Sequence, residues 1–234
     1  MTSVFWHFGQ QATWSKLPPV CIDLPGSGAH IWFFAEALHF AYEDLVSAAE
    51  LERAADMLPR ARAREFLSYR ACLRNLLTHC YIRTLPAREI RIEIAEGGKP
   101  WLPETPSLRF NLSHSDGALA IAVSRYEVGI DIEKIRLIPD WRDLAENVLT
   151  PTDAATIASH AKAERSTAFL RCFTAREAYL KALGTGFSAP LPGMDFHSSY
   201  REQFTTDGKE CLLAPLPQLP GFVGHVCILN RDIA

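Results

Sequence analysis

The chain lacks a CxxC pair, lacks HxxxH or HExxH spacing, and has no apolar run near the roughly 20 residues of a membrane span. The first two absences remove the common zinc frameworks, and the third removes a membrane-spanning helix. Six cysteines (Cys21, Cys72, Cys80, Cys172, Cys211, Cys227) are scattered along the chain. Cys72 and Cys172 fall within apolar helical patterns, where a thiol packs as a small core residue. All six are therefore expected to be reduced, as in an intracellular protein. The N-terminal stretch MTSVFWHFGQQATWSKLPPV has no basic segment followed by an apolar one, so no secretory signal is expected. Excess positive charge is missing too: the formal net charge is −3, which argues against sequence-independent nucleic-acid binding. What remains is an ordinary balance, 48% hydrophobic and 22% charged over 234 residues, enough to bury one large core or two small ones. The expectation is a soluble cytoplasmic protein.

The most informative stretch is Val128-Gly129-Ile130-Asp131-Ile132-Glu133. It reads as a strand in which period-2 alternation puts Asp131 and Glu133 on one face and Ile130 and Ile132 in the core. An isolated DxE of this kind is ordinarily the solvated face of an edge strand. Here the strand is apolar around the pair, and two carboxylates on one face repel unless a cation or proton sits between them. That tilts the balance towards a metal. Further on, Phe173-Thr174-Ala175-Arg176-Glu177-Ala178-Tyr179-Leu180-Lys181 reads as a helix with Glu177 and Lys181 four apart on one face. Such pairs are common surface stabilisers, but apolar neighbours mark this helix as buried. Three carboxylates and a lysine converging in this way suit a hard divalent cation and a polyphosphate, magnesium in particular. Arg176 and Lys181 would hold phosphate, one as a fork and the other as a point charge.

Along the rest of the chain, helices are expected over 41–58, 60–81 and 163–183, the last stopped by Gly184 and Gly186. Strands are expected at the start of 29–38, over 89–95, 108–112 and 118–124, and within 221–229, with short helices across 134–164 joined by Pro139 and Pro151. Ser113 to Gly117 is expected as a polar loop between two strands. There Ser113, His114 and Ser115 offer hydrogen-bond donors, while Gly97-Gly98-Lys99-Pro100 forms a turn that lets backbone approach an anion. A lone histidine is more often structural than functional, and adjacent residues on a strand cannot form a Ser–His dyad. Residues 70–76 (RACLRNL) echo 177–183 (EAYLKAL), suggesting two similar halves that break near residue 127. A coincidence between two amphipathic helices explains that echo about as well.

GGKP, FNLSHS, GIDIE and FTAREAYLKALG, in this order and spacing, resemble the motifs of 4′-phosphopantetheinyl transferases of the surfactin-synthetase type. The resemblance covers roughly residues 60–190. It implies an α/β (α+β) fold of two similar pseudo-repeat halves, 1–127 and 128–234, each a helix on a small sheet, with the site at their interface. It also implies a monomer, coenzyme A as donor, Mg2+ as cofactor, and a serine of an acyl or peptidyl carrier protein as acceptor. Carried over, Asp131, Glu133 and Glu177 would ligate magnesium, and Glu177 and Lys181 would be catalytic. Lys99 with Pro100, Ser113, His114 and Arg70 would contact the coenzyme's phosphates. The lysine usual before the motif glutamate is Arg176 here, which keeps the charge and changes its shape. Between Ile135 and Leu149, apolar Leu137, Ile138, Trp141, Leu144, Val148 and Leu149 stand beside Arg136 and Arg142. They form either an ordinary packed helix or a docking face for an acidic carrier protein. A non-catalytic binding module is the alternative in another class. A two-metal nuclease would want a basic channel that this composition does not offer.

Overall fold

Strands with apolar side chains on both faces need cover on both sides, and AHIWFF, ALAIAVS and FVGHVCILN are of that kind. The computed structural model supplies that cover; it describes residues 19–24, 27–35, 42–185, 195–196, 202–206, 208–217 and 219–230. In chain order the strands are β1 (Val20–Leu24), β2 (Ala29–Phe34), β3 (Glu93–Ile94), β4 (Pro100–Trp101), β5 (Arg109–Ser115), β6 (Ala118–Ser124), β7 (Glu127–Lys134), β8 (Glu202–Thr206), β9 (Lys209–Pro215) and β10 (Phe222–Asn230). The helices are α1 (Ala48–Ala55), α2 (Arg60–Cys80), α3 (Trp141–Val148), α4 (Pro151–Ser159) and α5 (Arg165–Leu183). The result is a mixed α/β fold, as expected. No described helix is long and apolar enough to cross a membrane.

Two antiparallel four-stranded sheets, ordered β1-β2-β6-β5 and β7-β10-β9-β8, stack face to face. Ile31, Phe33, Ala120 and Ala122 of the first meet Val128, Ile130, Ile132, Val226 and Ile228 of the second. The opposite faces take a helix each. Tyr69, Cys72, Leu73, Leu76 and Leu77 of α2 lie on Trp32, Phe34, Leu119 and Ile121. Ala175, Ala178, Tyr179 and Leu180 of α5 lie on Cys211, Leu213, Cys227 and Leu229. Cys72 and Cys172 are core residues, 0% and 3% exposed, as their apolar patterns imply. In both sheets a strand that precedes the sheet's helices in the chain pairs with the second strand of a later hairpin: β2-β6-β5 and β7-β10-β9.

Gly129 lets α5 lie against β7. A Cβ there would fall 2.1 Å from the Ala178 carbonyl oxygen and 2.3 Å from the Ala182 nitrogen, so any other residue would push the helix away. The helix ends as its sequence implies, with Gly184 at φ 75° in the left-handed region.

Three expectations change. The helix expected over 41–58 is confined to Ala48–Ala55 by a capping box in which Ser47 and Glu50 satisfy each other's amides; residue 41 lies outside the described residues. The alternating Ile90, Ile92 and Ile94 give only the two-residue strand β3. The chain forms a 3-10 turn over Ala87–Glu89 instead, and Arg74 pins it by donating to the Ala87 and Ile90 carbonyls at 2.7 Å each. Ser113, His114 and Ser115 belong to β5 rather than to a loop. The turn is the two-residue Asp116-Gly117, with φ 47° and 78°, a hairpin pair suited to Asp-Gly.

Candidate active site

Alternation along β7 turns Val128, Ile130 and Ile132 into the space between the sheets and leaves Asp131 and Glu133 on the side facing α5. One helical turn of α5 then brings Glu177 and Lys181 to the same place. Lys181 Nζ donates to Asp131 Oδ1 at 2.7 Å and to the Ile130 carbonyl at 3.2 Å. Arg176 donates to Glu177 Oε1 at 2.7 Å, with both side chains 6% exposed. Arg136 donates to Glu133 Oε2 at 2.8 Å. Each carboxylate is thus tied to one cation through one oxygen. The second oxygen of Asp131, Oδ2, is buried with no hydrogen-bond partner.

Burial raises both Asp131 and Glu177 above the usual carboxylate range. Lys181 opposes the shift at Asp131, and Arg176 opposes it at Glu177. The negative charges also raise one another: Glu133 acts on Asp131, and Asp131 on Glu177. Mutual repulsion among desolvated carboxylates is relieved by a cation or a proton. Among the described residues, no three acidic, histidine or cysteine side chains are already drawn together as a metal shell. Lys181 occupies Asp131 Oδ1 instead.

Ser113 is 5% exposed; its hydroxyl donates to Asp131 Oδ1 at 2.7 Å and accepts from the Ile132 amide at 3.1 Å. His114, next along the strand, turns the opposite way and stacks on Tyr69 of α2, with ring centroids 4.5 Å apart and planes inclined 23°. Desolvation and then Lys181 hold its imidazole below the ordinary histidine range, while Glu65, Asp131 and Glu133 oppose them. His114 therefore borders the carboxylate cluster from the first sheet.

Lys99 and Arg70 lie elsewhere. Lys99 Nζ donates to Glu127 Oε2 at 2.9 Å and to the Ala182 carbonyl at 3.0 Å, and burial lowers its pKa despite Glu127. Pro100 follows it in β4, beside a cavity of about 190 Å³ lined also by Trp101, Arg109, Phe110 and Glu127. Arg70 faces Glu50 at 3.6 Å, and its other charged neighbours are Arg53 and Arg74, none of them site residues. Its Nη1 is buried with no hydrogen-bond partner, and the phosphate contact expected of Arg70 stands as a proposal.

Sequence reasoning missed Tyr69 and Glu127. Tyr69 belongs to the apolar stripe of α2 with Cys72, Leu73 and Leu76, and reads as an ordinary core aromatic. Glu127 directly precedes the carboxylate strand but lacked a partner until Lys99 and Arg109 converged on it.

A family model, the 4′-phosphopantetheinyl transferase superfamily, matches residues 127–215, from the first residue of β7 through α5 and into the second sheet. The chain is 31% identical to the 4′-phosphopantetheinyl transferase HetI of Nostoc over 187 residues, covering 76% of this chain and 77% of that one. It is 27% identical over 184 residues to the 4′-phosphopantetheinyl transferase Sfp of Bacillus subtilis, covering 74% and 81%. A Bacillus subtilis 4′-phosphopantetheinyl transferase is 28% identical over 171 residues, covering 70% and 73%. This chain therefore belongs to the 4′-phosphopantetheinyl transferases, and is an enzyme of that class.

Proposed function

We propose that the protein transfers the 4′-phosphopantetheine group of coenzyme A to a serine of an acyl or peptidyl carrier protein, with Mg2+ as cofactor. The products are holo carrier protein and adenosine 3′,5′-bisphosphate. One observation carries the metal assignment: the three carboxylates act on one another electrostatically, each spends one oxygen on its own cation, and Asp131 Oδ2 is left buried without a partner. Hard oxygen donors of this set fit magnesium, which takes carboxylates, water and substrate phosphate as ligands. Asp131, Glu133 and Glu177 would hold it. When bound, the ion would neutralise the coenzyme's pyrophosphate.

The rest of the chemistry falls to the chain. Lys181 stands beside Asp131 with 30% of its side chain exposed, and is proposed to meet a phosphate oxygen. Glu177, raised by burial, is suited to accept the proton of the carrier serine as its hydroxyl attacks the β-phosphate. Arg176 orients that carboxylate through the 2.7 Å bond rather than meeting the coenzyme itself. His114, on its Tyr69 stack, is the side chain of the first sheet best placed for a nucleotide phosphate. Most of the work is positioning and charge neutralisation.

The carrier protein is proposed to dock beside α3. Leu137 is 78% exposed and Ile135 42%, with Arg136 between them, whereas Trp141, Ile138 and Leu149 are core residues. The apolar face expected there thus divides, and the docking part is Ile135–Leu137 with Leu144, 40% exposed. A division into 1–127 and 128–234, with the complete site in one monomer, is part of the same proposal. The shared strand order of the two sheets supports it.

The test mixes the protein with coenzyme A, Mg2+ and a panel of apo carrier proteins and reads the intact carrier mass. The expected result is a gain of one phosphopantetheine, abolished by EDTA. Coenzyme A bound without transfer to any carrier would overturn the proposal.

A further inference from the structure

β5 and β7 are edge strands of different sheets, yet they lie side by side. The outward amides of β7 are met there by side chains rather than by a neighbouring backbone. Asn111 Oδ1 accepts from the Ile130 amide at 3.0 Å, Ser113 Oγ from Ile132 at 3.1 Å, and Ser115 Oγ from Lys134 at 3.1 Å. Every rung spans 19 residues, so the register is constant along the seam. Both hydroxyls also work as donors: Ser113 to Asp131 Oδ1 at 2.7 Å, and Ser115 to Glu133 Oε2 at 3.0 Å.

Residue type follows need at each rung. Where Gly129 precedes the amide, an asparagine oxygen suffices as acceptor. Where a carboxylate precedes it, the rung is a serine, whose single oxygen accepts from the amide and donates to the carboxylate at once. We propose that Ser115, together with Ser113, is a positioning residue: the seam fixes Glu133 and Asp131 on β7 so that their remaining oxygens face the cation. This rests on the metal assignment made above. Without the Ser115 hydroxyl, Glu133 keeps only Arg136 among the described residues, and that side chain is 53% exposed. The carboxylate would follow Arg136 towards solvent. Removing outer partners of a ligating carboxylate typically weakens metal binding by about 10- to 100-fold.

The experiment titrates Mn2+ into wild type, Ser115→Ala and Ser115→Thr, following free Mn2+ by electron paramagnetic resonance, with the KM for coenzyme A measured alongside. Ser115→Ala is expected to bind Mn2+ about tenfold more weakly, with little change in the coenzyme A KM when the metal is saturating. Ser115→Thr, which keeps the hydroxyl, should restore near-wild-type affinity. Melting curves establish that each variant folds. If Ser115→Ala does not, Ser115→Cys, similar in size but a weak donor, is judged by the same criterion. Unchanged Mn2+ affinity in a folded Ser115→Ala overturns this inference alone. Wild type that takes up no Mn2+ overturns the metal assignment, and this inference with it.

Discussion

Glu127 and Asp131 stand four residues apart on β7, both bound by lysine, and their surroundings differ in kind. At Glu127 the carboxylate is closed: Lys99 meets Oε2 at 2.9 Å and Arg109 meets Oε1 at 3.2 Å. Lys99 also caps the last turn of α5 through the Ala182 carbonyl. One cluster thus ties together the start of β7, β5, the segment before β4 and the end of the helix. At Asp131 the arrangement is open. Lys181 and Ser113 share Oδ1, Oδ2 has no partner, and Glu133 and Glu177 add two further carboxylates. A satisfied ion pair holds structure. An oversupply of desolvated acid with an idle oxygen is what a cation site requires.

The largest effect that would sharpen this contrast is at the open end. Asp131→Ala should lower transfer by about a thousandfold, the upper range for losing one electrostatic contact at a reacting centre, while the protein stays folded. Near-normal turnover would contradict a cation site at Asp131. Next comes the support beneath it. Gly129→Ala should cost several kcal/mol of stability, of order 3 or more, because its Cβ cannot coexist with the Ala178 carbonyl at 2.1 Å. Chemical denaturation reads this directly.

His225 lies opposite Asp131 in the β7–β10 register and hydrogen-bonds Thr174 at 2.8 Å. Burial, then Arg171, pushes its pKa down to about 4. Well above pH 6.5 it is neutral folded or unfolded, so it contributes no pH dependence there. As pH falls from about 6.5 towards 4, only the unfolded chain takes the proton, and stability falls by up to about 3 kcal/mol. His225→Gln should flatten that part of the stability–pH curve; an unchanged slope would contradict the assignment. The smallest effect belongs to the closed end. Glu127→Gln should cost about 2 kcal/mol, because Lys99 and Arg109 lose their counter-charge in a partly buried place, with turnover per folded molecule retained. A selective loss of activity there would contradict a purely structural role for Glu127.

Local periodicity made both arms of the site legible. Alternation put Asp131 and Glu133 on one face, and helical spacing put Glu177 with Lys181, because each pattern lies within one element. The C-cap at Gly184 was legible for the same reason. What could not be read was which elements meet. The period-2 set Asn111, Ser113 and Ser115 is visible in the sequence, but only the stacking of two sheets decides that it faces β7 rather than solvent. Lys99 and Arg70 are long side chains whose partners, Glu127 and Glu50, lie 28 and 20 residues away. Which carboxylates they meet follows from the packing of distant segments and not from local pattern. Ile90, Ile92 and Ile94 alternated well, yet Arg74 claimed nearby carbonyls.

The open end of β7, and not the closed one, is proposed to be the cation site. The most direct test counts Mn2+ bound per chain in wild type, Glu127→Gln and Glu177→Gln at equal protein concentration. The prediction is one ion in wild type, one in Glu127→Gln, and strongly weakened binding in Glu177→Gln. Equal binding in Glu177→Gln and wild type, or loss in Glu127→Gln alone, would contradict it.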